Sequence, residues 1–129
     1  FGSRSFGPTP PSRAGVVLGR KPVASRLFYR RRFLNRRGHH GGAFVLADVH
    51  AERYLSAGHP VHDISAFITI ADCSRVATLD FDIHTAEDAR NALHKARLLR
   101  ELVSDFVASL ERAVTDRDGA MQHDRSAAG

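Results

Sequence analysis

Apolar residues at every second position mark two neighbouring stretches of the chain as strands. Ile64, Ala66, Ile68 and Ile70 line one face, and Ala77, Leu79, Phe81 and Ile83 line another. Between them Asp72-Cys73-Ser74-Arg75 suits a four-residue loop built on a type I turn. Residues 64–71 and 76–83 therefore read as a β-hairpin. With Ala71 opposite Val76, Ile70 meets Ala77, Ile68 meets Leu79, Ala66 meets Phe81 and Ile64 meets Ile83. A slip of one residue would set these side chains against polar partners, so the register is tightly specified. The other face then sets Asp63, Ser65, Phe67 and Thr69 across from His84, Asp82, Asp80 and Thr78.

After His84 the period changes from two to three or four. Thr85-Ala-Glu-Asp88 has the form of a capping box, with acids in the first turn of a helix. Ala89, Leu93, Ala96, Leu99, Val103, Phe106 and Leu110 follow as an apolar stripe, widened by Leu102, Val107 and Val114. A single helix to Val114 would be roughly 43 Å long, which makes a break near 105–108 an expectation. This helix is expected to pack on the Ile64, Ile68, Leu79 and Phe81 face. Beyond Thr115 the residues become small and polar, the pattern of a frayed tail. Upstream, residues 43–55 fit two templates. Val45, Ala47, Val49 and Ala51 alternate like a strand, whereas Asp48 as N-cap and Gly58 as C′ residue frame a short helix over 48–56. The capping residues favour the helix, with Gly58-His59-Pro60 as the turn after it.

Charge divides the chain. Its formal net charge is +5, yet residues 1–47 hold ten basic residues and no acid, while 48–129 hold nine basic residues against fourteen acidic. The first 42 residues are rich in Gly, Ser, Pro and Arg and keep no period, so they read as a disordered basic arm. Arg30, Arg31, Arg32, Arg36 and Arg37, interleaved with Phe28, Tyr29 and Phe33, form a pattern that grips phosphates while rings stack on bases. A solvated tail and an acid-poor targeting segment are the alternatives. The domain expectation is an arm over 1–42, an α/β body over 43–115 and a tail over 116–129. One cysteine, Cys73, rules out a disulfide framework and fits a cytoplasmic setting. No apolar run approaches the length of a membrane span.

Candidate chemistry centres on Leu79-Asp80-Phe81-Asp82-Ile83-His84. On a strand, Asp80, Asp82 and His84 share a face. Two such carboxylates can hold Mg²⁺ or Mn²⁺, and a pair of these ions is the usual device for displacement at phosphorus. The competing reading is a solvated sheet face. His59, His62 and Asp63 have zinc-like spacing, set against a plain cross-strand pair of Asp63 with His84. His39 and His40 beside Gly41 and Gly42 form a second, weaker metal motif. Cys73 has no base near it in sequence, and neither a Gly-x-Ser-x-Gly elbow nor a Walker loop is present.

The stretch from Tyr54-Leu55-Ser56-Ala57-Gly58 through the hairpin and Ala77-Thr78-Leu79-Asp80-Phe81-Asp82-Ile83-His84 to the helix at 86–104 resembles the archaeo-eukaryotic primase superfamily, the primase-polymerases of phages, plasmids and TOTE-type conflict systems. The likeness covers about residues 48–112. It implies an α+β fold of helix, antiparallel hairpin and long helix after a basic arm, forming part of a primase-polymerase domain. It also implies template-directed nucleotidyl transfer, with Asp80 and Asp82 as catalytic residues holding Mg²⁺ or Mn²⁺. His84 and His123 would contact the nucleotide's phosphates, the latter at the end of a loop over 118–123. DNA or RNA template, nucleoside triphosphates and a fused or associated helicase would be partners. The family's Ser-Gly-x-Gly element and third acidic strand are missing, so the chain reads as an N-terminal piece of such a protein. The alternative is a small non-catalytic nucleic-acid-binding module carried by the arginine-rich segment.

Overall fold

The computed structural model describes residues 23–129. It is α+β: four antiparallel strands followed by one long helix. The strands are β1 (Val23–Phe33), β2 (Ala43–Ser56), β3 (His59–Asp72) and β4 (Arg75–Asp80), and the helix is α1 (Ala86–Ala128). Strand order β1-β2-β3-β4 makes the sheet a simple meander, each strand paired with its neighbour in sequence. The sheet with the first residues of α1, through Ala89, forms one compact unit, and the rest of α1 forms a second.

The hairpin register expected from the sequence is present. Ala71 pairs with Val76, Ile70 with Ala77 and Ile68 with Leu79. An isolated bridge joins Ile64 to Ile83 in the same register. The connection is tighter than the expected four-residue loop, because Asp72 pairs with Arg75 and leaves Cys73-Ser74 as the turn, with Cys73 at φ 57°.

Residues 48–56 are strand, not helix. β2 runs 14 residues and pairs along its whole length with β3, setting Val45, Ala47, Val49 and Ala51 beside Ile70, Ile68, Ala66 and Ile64. A helix would have broken this alternation and left the apolar face of β3 without a neighbour, so cross-strand burial outweighs the capping residues. Gly58 does not close a helix. Ala57 (φ 51°) and Gly58 (φ 80°) form the two-residue loop of the β2–β3 hairpin, and positive φ at both positions is the type I′ signature.

The basic arm also needs correction. Its residues 1–22 lie outside the described residues, but 23–33 form β1, paired with β2 from Val23↔Arg53 to Phe33↔Phe44. A bulge at Leu27 shifts the register between Arg26 and Phe28. The polar tail expected over 116–129 is helical to Ala128, and α1 shows no break near 105–108. Its start is the expected capping box. Thr85 Oγ1 accepts the Asp88 N–H at 3.0 Å, while Asp88 Oδ2 accepts the backbone N–H groups of His84 (3.1 Å) and Thr85 (3.2 Å).

The sheet has an apolar face and a polar one. In the observed register Val45, Ala47, Val49 and Ala51 share a face with Ile64, Ala66, Ile68 and Ile70 and with Ala77 and Leu79. The buried hydrophobic residues of this unit are small, Ala43, Ala66 and Ala71, joined by Phe81. Buried on the polar face are Asp48 and Asp63.

Candidate nucleic-acid interface

β1 is an edge strand, and all eleven of its residues are exposed. Alternation divides its side chains. Arg26, Tyr29, Arg31 and Phe33 share the polar face of the sheet with their β2 partners His50, Asp48, Leu46 and Phe44. Phe28, Arg30 and Arg32 lie on the other face, opposite Val49, Ala47 and Val45. Each face of the edge thus carries both guanidinium groups and rings.

The rings and cations are already in contact. Arg26 lies over the Tyr29 ring at 4.6 Å, Arg30 over Phe28 at 5.6 Å, and Arg31 over Phe33 and Phe44 at 5.2 and 5.7 Å. At exposed sites such contacts are worth about 0.5–1 kcal/mol, enough to favour extended guanidinium rotamers along the strand. Arg36 and Arg37 extend the basic surface into the β1–β2 loop. There His39 donates its N–H to the Arg36 carbonyl at 3.1 Å, and Gly38 takes φ 97°.

One arginine is fixed differently. Arg26 pairs with the buried Asp48 at 3.3 Å, and His50 Nδ1 lies against the other oxygen of that carboxylate. Asp48 therefore sits between β1 and its own strand as an anchor. Sequence reading missed this role, because Asp48 reads equally well as a helix N-cap. The signal lay in the alternation of Val45, Ala47, Val49 and Ala51, which as a strand sets Asp48 on the opposite face beside His50.

A second polar cluster surrounds Asp63. Tyr54 donates its hydroxyl to Asp63 Oδ2 at 2.8 Å, and His84 Nδ1 lies 3.1 Å from the same oxygen. The hydrogen bond to Asp63, then burial and the nearby Asp63 and Glu52 charges, raise the Tyr54 phenol above its usual value near 10. His84 and Asp63 form the cross-strand pair weighed against a zinc motif. Neither His59 nor His62 takes part in a metal-sized group of donors among the described residues.

Asp80 and Asp82 do not stand side by side on a continuous strand. β4 ends at Asp80, so the expected strand over 76–83 is interrupted. Asp82 Oδ1 accepts the Ala66 N–H at 2.8 Å, and Asp80 Oδ1 accepts the Asp82 N–H at 2.7 Å. Each carboxylate spends an oxygen on backbone that the interruption leaves unpaired. Among the described residues no third His, Cys or carboxylate joins them in a group able to hold a metal. His123, expected at the end of a phosphate-binding loop over 118–123, lies within α1, where those residues are helical.

The group that does converge lies at one end of the sheet, drawn from the β1–β2 loop, the last residue of β3 and the β3–β4 turn. His40, Asp72 and Cys73 bring their donor atoms within 4.8 Å of one another. Nitrogen, oxygen and sulfur donors in such a group suit a borderline ion such as Zn²⁺. Cys73 is held there by its N–H bond to the Gly42 carbonyl, 2.9 Å, and a Cβ on Gly42 would meet Cys73 Cα at 3.2 Å. Both imidazole nitrogens of His40 already have neighbours, Nδ1 the Gly42 N–H at 3.3 Å and Nε2 the Asn35 amide at 3.2 Å. A metal ion would compete with one of these hydrogen bonds.

Comparison of the chain with protein-family models, with curated proteins and with solved structures returned no match.

Proposed function

We propose that the chain is a non-catalytic nucleic-acid-binding module whose contact surface is the β1 edge and the loop that follows it. The observation that carries this reading is the joint exposure of six arginines (Arg26, Arg30, Arg31, Arg32, Arg36 and Arg37) and three rings (Phe28, Tyr29 and Phe33) along one strand and its loop. Guanidinium groups bind phosphate oxygens bidentately, and rings beside them offer stacking surfaces to unpaired bases. Bases in a duplex do not expose their faces, so the preferred ligand is single-stranded. No acid lies between residues 1 and 47 to repel a phosphate chain, and the nearest, Asp48, is buried and paired with Arg26.

Replacement of rings separates this surface from a merely cationic one. Phe28→Ala and Phe33→Ala remove exposed rings, leave the charge unchanged and carry little folding cost. Each should weaken binding of a fluorescent single-stranded oligonucleotide by about 1–3 kcal/mol, the usual worth of a base stacked on an aromatic side chain. Binding unchanged in both variants would reduce the interaction to non-specific charge and remove the stacking part of the reading.

A further inference from the structure

The helix α1 exposes far more apolar side chain than an isolated helix tolerates in water. Leu102, Val103, Phe106 and Leu110 are 58%, 52%, 64% and 51% exposed, flanked by Val107 and Val114 at 46% each. Along this helix Ala96, Leu99, Val103, Phe106, Leu110 and Ala113, all exposed except the half-buried Leu99, follow one another at alternating intervals of three and four. That spacing is the 3.5-residue repeat of a two-helix seam, whose a and d positions interlock with a partner helix. Contiguous exposed apolar surface of this kind marks an interaction site.

The charges say which partner fits. From Arg90 to Arg100 the helix holds four basic residues, Arg90, Lys95, Arg97 and Arg100, and no acid. From Glu101 to Asp118 it holds five acids, Glu101, Asp105, Glu111, Asp116 and Asp118, against Arg112 and Arg117. A second copy laid antiparallel brings the basic half of each helix onto the acidic half of the other, and a parallel copy brings like against like. We propose that α1 is a homodimerisation element, pairing antiparallel with α1 of a second copy of this chain. Antiparallel seams set a against d positions. Leu99 then meets Leu110 of the second copy, Val103 meets Phe106, and Ala96 meets Ala113. The small residues fall at both ends of the seam and the large ones in its middle, which suits helices that cross there. The inference is independent of nucleic-acid binding, because it uses none of the β1 residues.

The test combines mass with geometry. Sedimentation of the full chain should give a dimer that dissociates on roughly hundredfold dilution, as mass action requires. Phe106→Glu with Leu110→Glu should make it monomeric at every concentration, and far-ultraviolet dichroism at the same concentrations reports whether helix is lost together with the partner. Orientation is read in a Cys73→Ser background. A mixture of Leu99→Cys and Leu110→Cys chains should form a mixed disulfide, while neither variant alone crosslinks to itself. A wild-type monomer at all concentrations would overturn the proposal. So would a dimer that survives the double glutamate change, or self-crosslinking of Leu99→Cys alone, which is the parallel arrangement.

Discussion

Ala57 occupies a backbone conformation that L-residues with a Cβ avoid, φ 51° at the first position of a two-residue β-turn. Asn followed by Gly is the pair that populates this turn most readily. Ala57→Asn should therefore stabilise the sheet by about 1 kcal/mol, seen as a melting temperature raised by about 4–8 °C. A lowered melting temperature would show that the turn is not type I′. At the other end of the sheet unit, Asp88 is held below the usual carboxylate range, first by the His84 backbone N–H and further by Thr85. A depressed folded-state value means that its contribution is complete above the ordinary aspartate range near 4. It is lost as pH falls through the lower folded value. Asp88→Asn should reduce thermal stability at pH 7, and the difference from wild type should close on acidification below about pH 4. A difference that persists undiminished at low pH would place the effect in packing rather than in the charge on the cap. Both features sit on residues legible in the sequence, but to different depths. The Thr85-to-Asp88 box is local and was readable as it stands. Gly58 is ambiguous in the sequence, since a glycine at positive φ ends a helix and closes a type I′ hairpin equally well.

At the scale of elements, what the sequence makes legible depends on how far the deciding interactions lie along the chain. The β3–β4 register was readable because both strands alternate cleanly and their turn is short, so every pairing is local. β2 carries two signals that conflict. Its alternation argues strand, its ends argue helix, and the decision came from a face on β3 that only pairing reveals. β1 carries little apolar patterning of its own and becomes a strand by adding to the edge of β2. The interruption after Asp80 was invisible for a related reason. The bond from Ala66 N–H to Asp82 exists only once the hairpin has closed. Asp48 is the test of how β1 is held. Asp48→Asn keeps the shape and removes the charge that Arg26 and His50 approach. Because Arg26 is half in solvent, the cost should be about 1 kcal/mol. Amide exchange should quicken in β1 more than in β3. Uniform acceleration across the sheet would mean that Asp48 supports the unit as a whole and does not anchor the edge.

For the molecule as a whole, the proposed contact surface lies on an exposed edge strand and not in the core. Among the described residues no helix is long and apolar enough to cross a membrane. Large fully buried side chains are absent among them as well. The sequence placed arginines and rings together correctly but gave them no geometry. The fold supplies it by making them an edge strand. Asp80 and Asp82, the sequence's strongest candidate for chemistry, each give one carboxylate oxygen to a backbone N–H. The most direct measurement is the salt dependence of binding to a single-stranded oligonucleotide, for the wild type and for a variant carrying Arg30→Ala, Arg31→Ala and Arg32→Ala. Each phosphate contact releases condensed counterion, so the logarithmic slope should flatten by roughly 0.7 for each arginine that touches a phosphate, about 2 for the three. The account predicts that flattening together with weaker binding at low salt. An unchanged slope and affinity would contradict it.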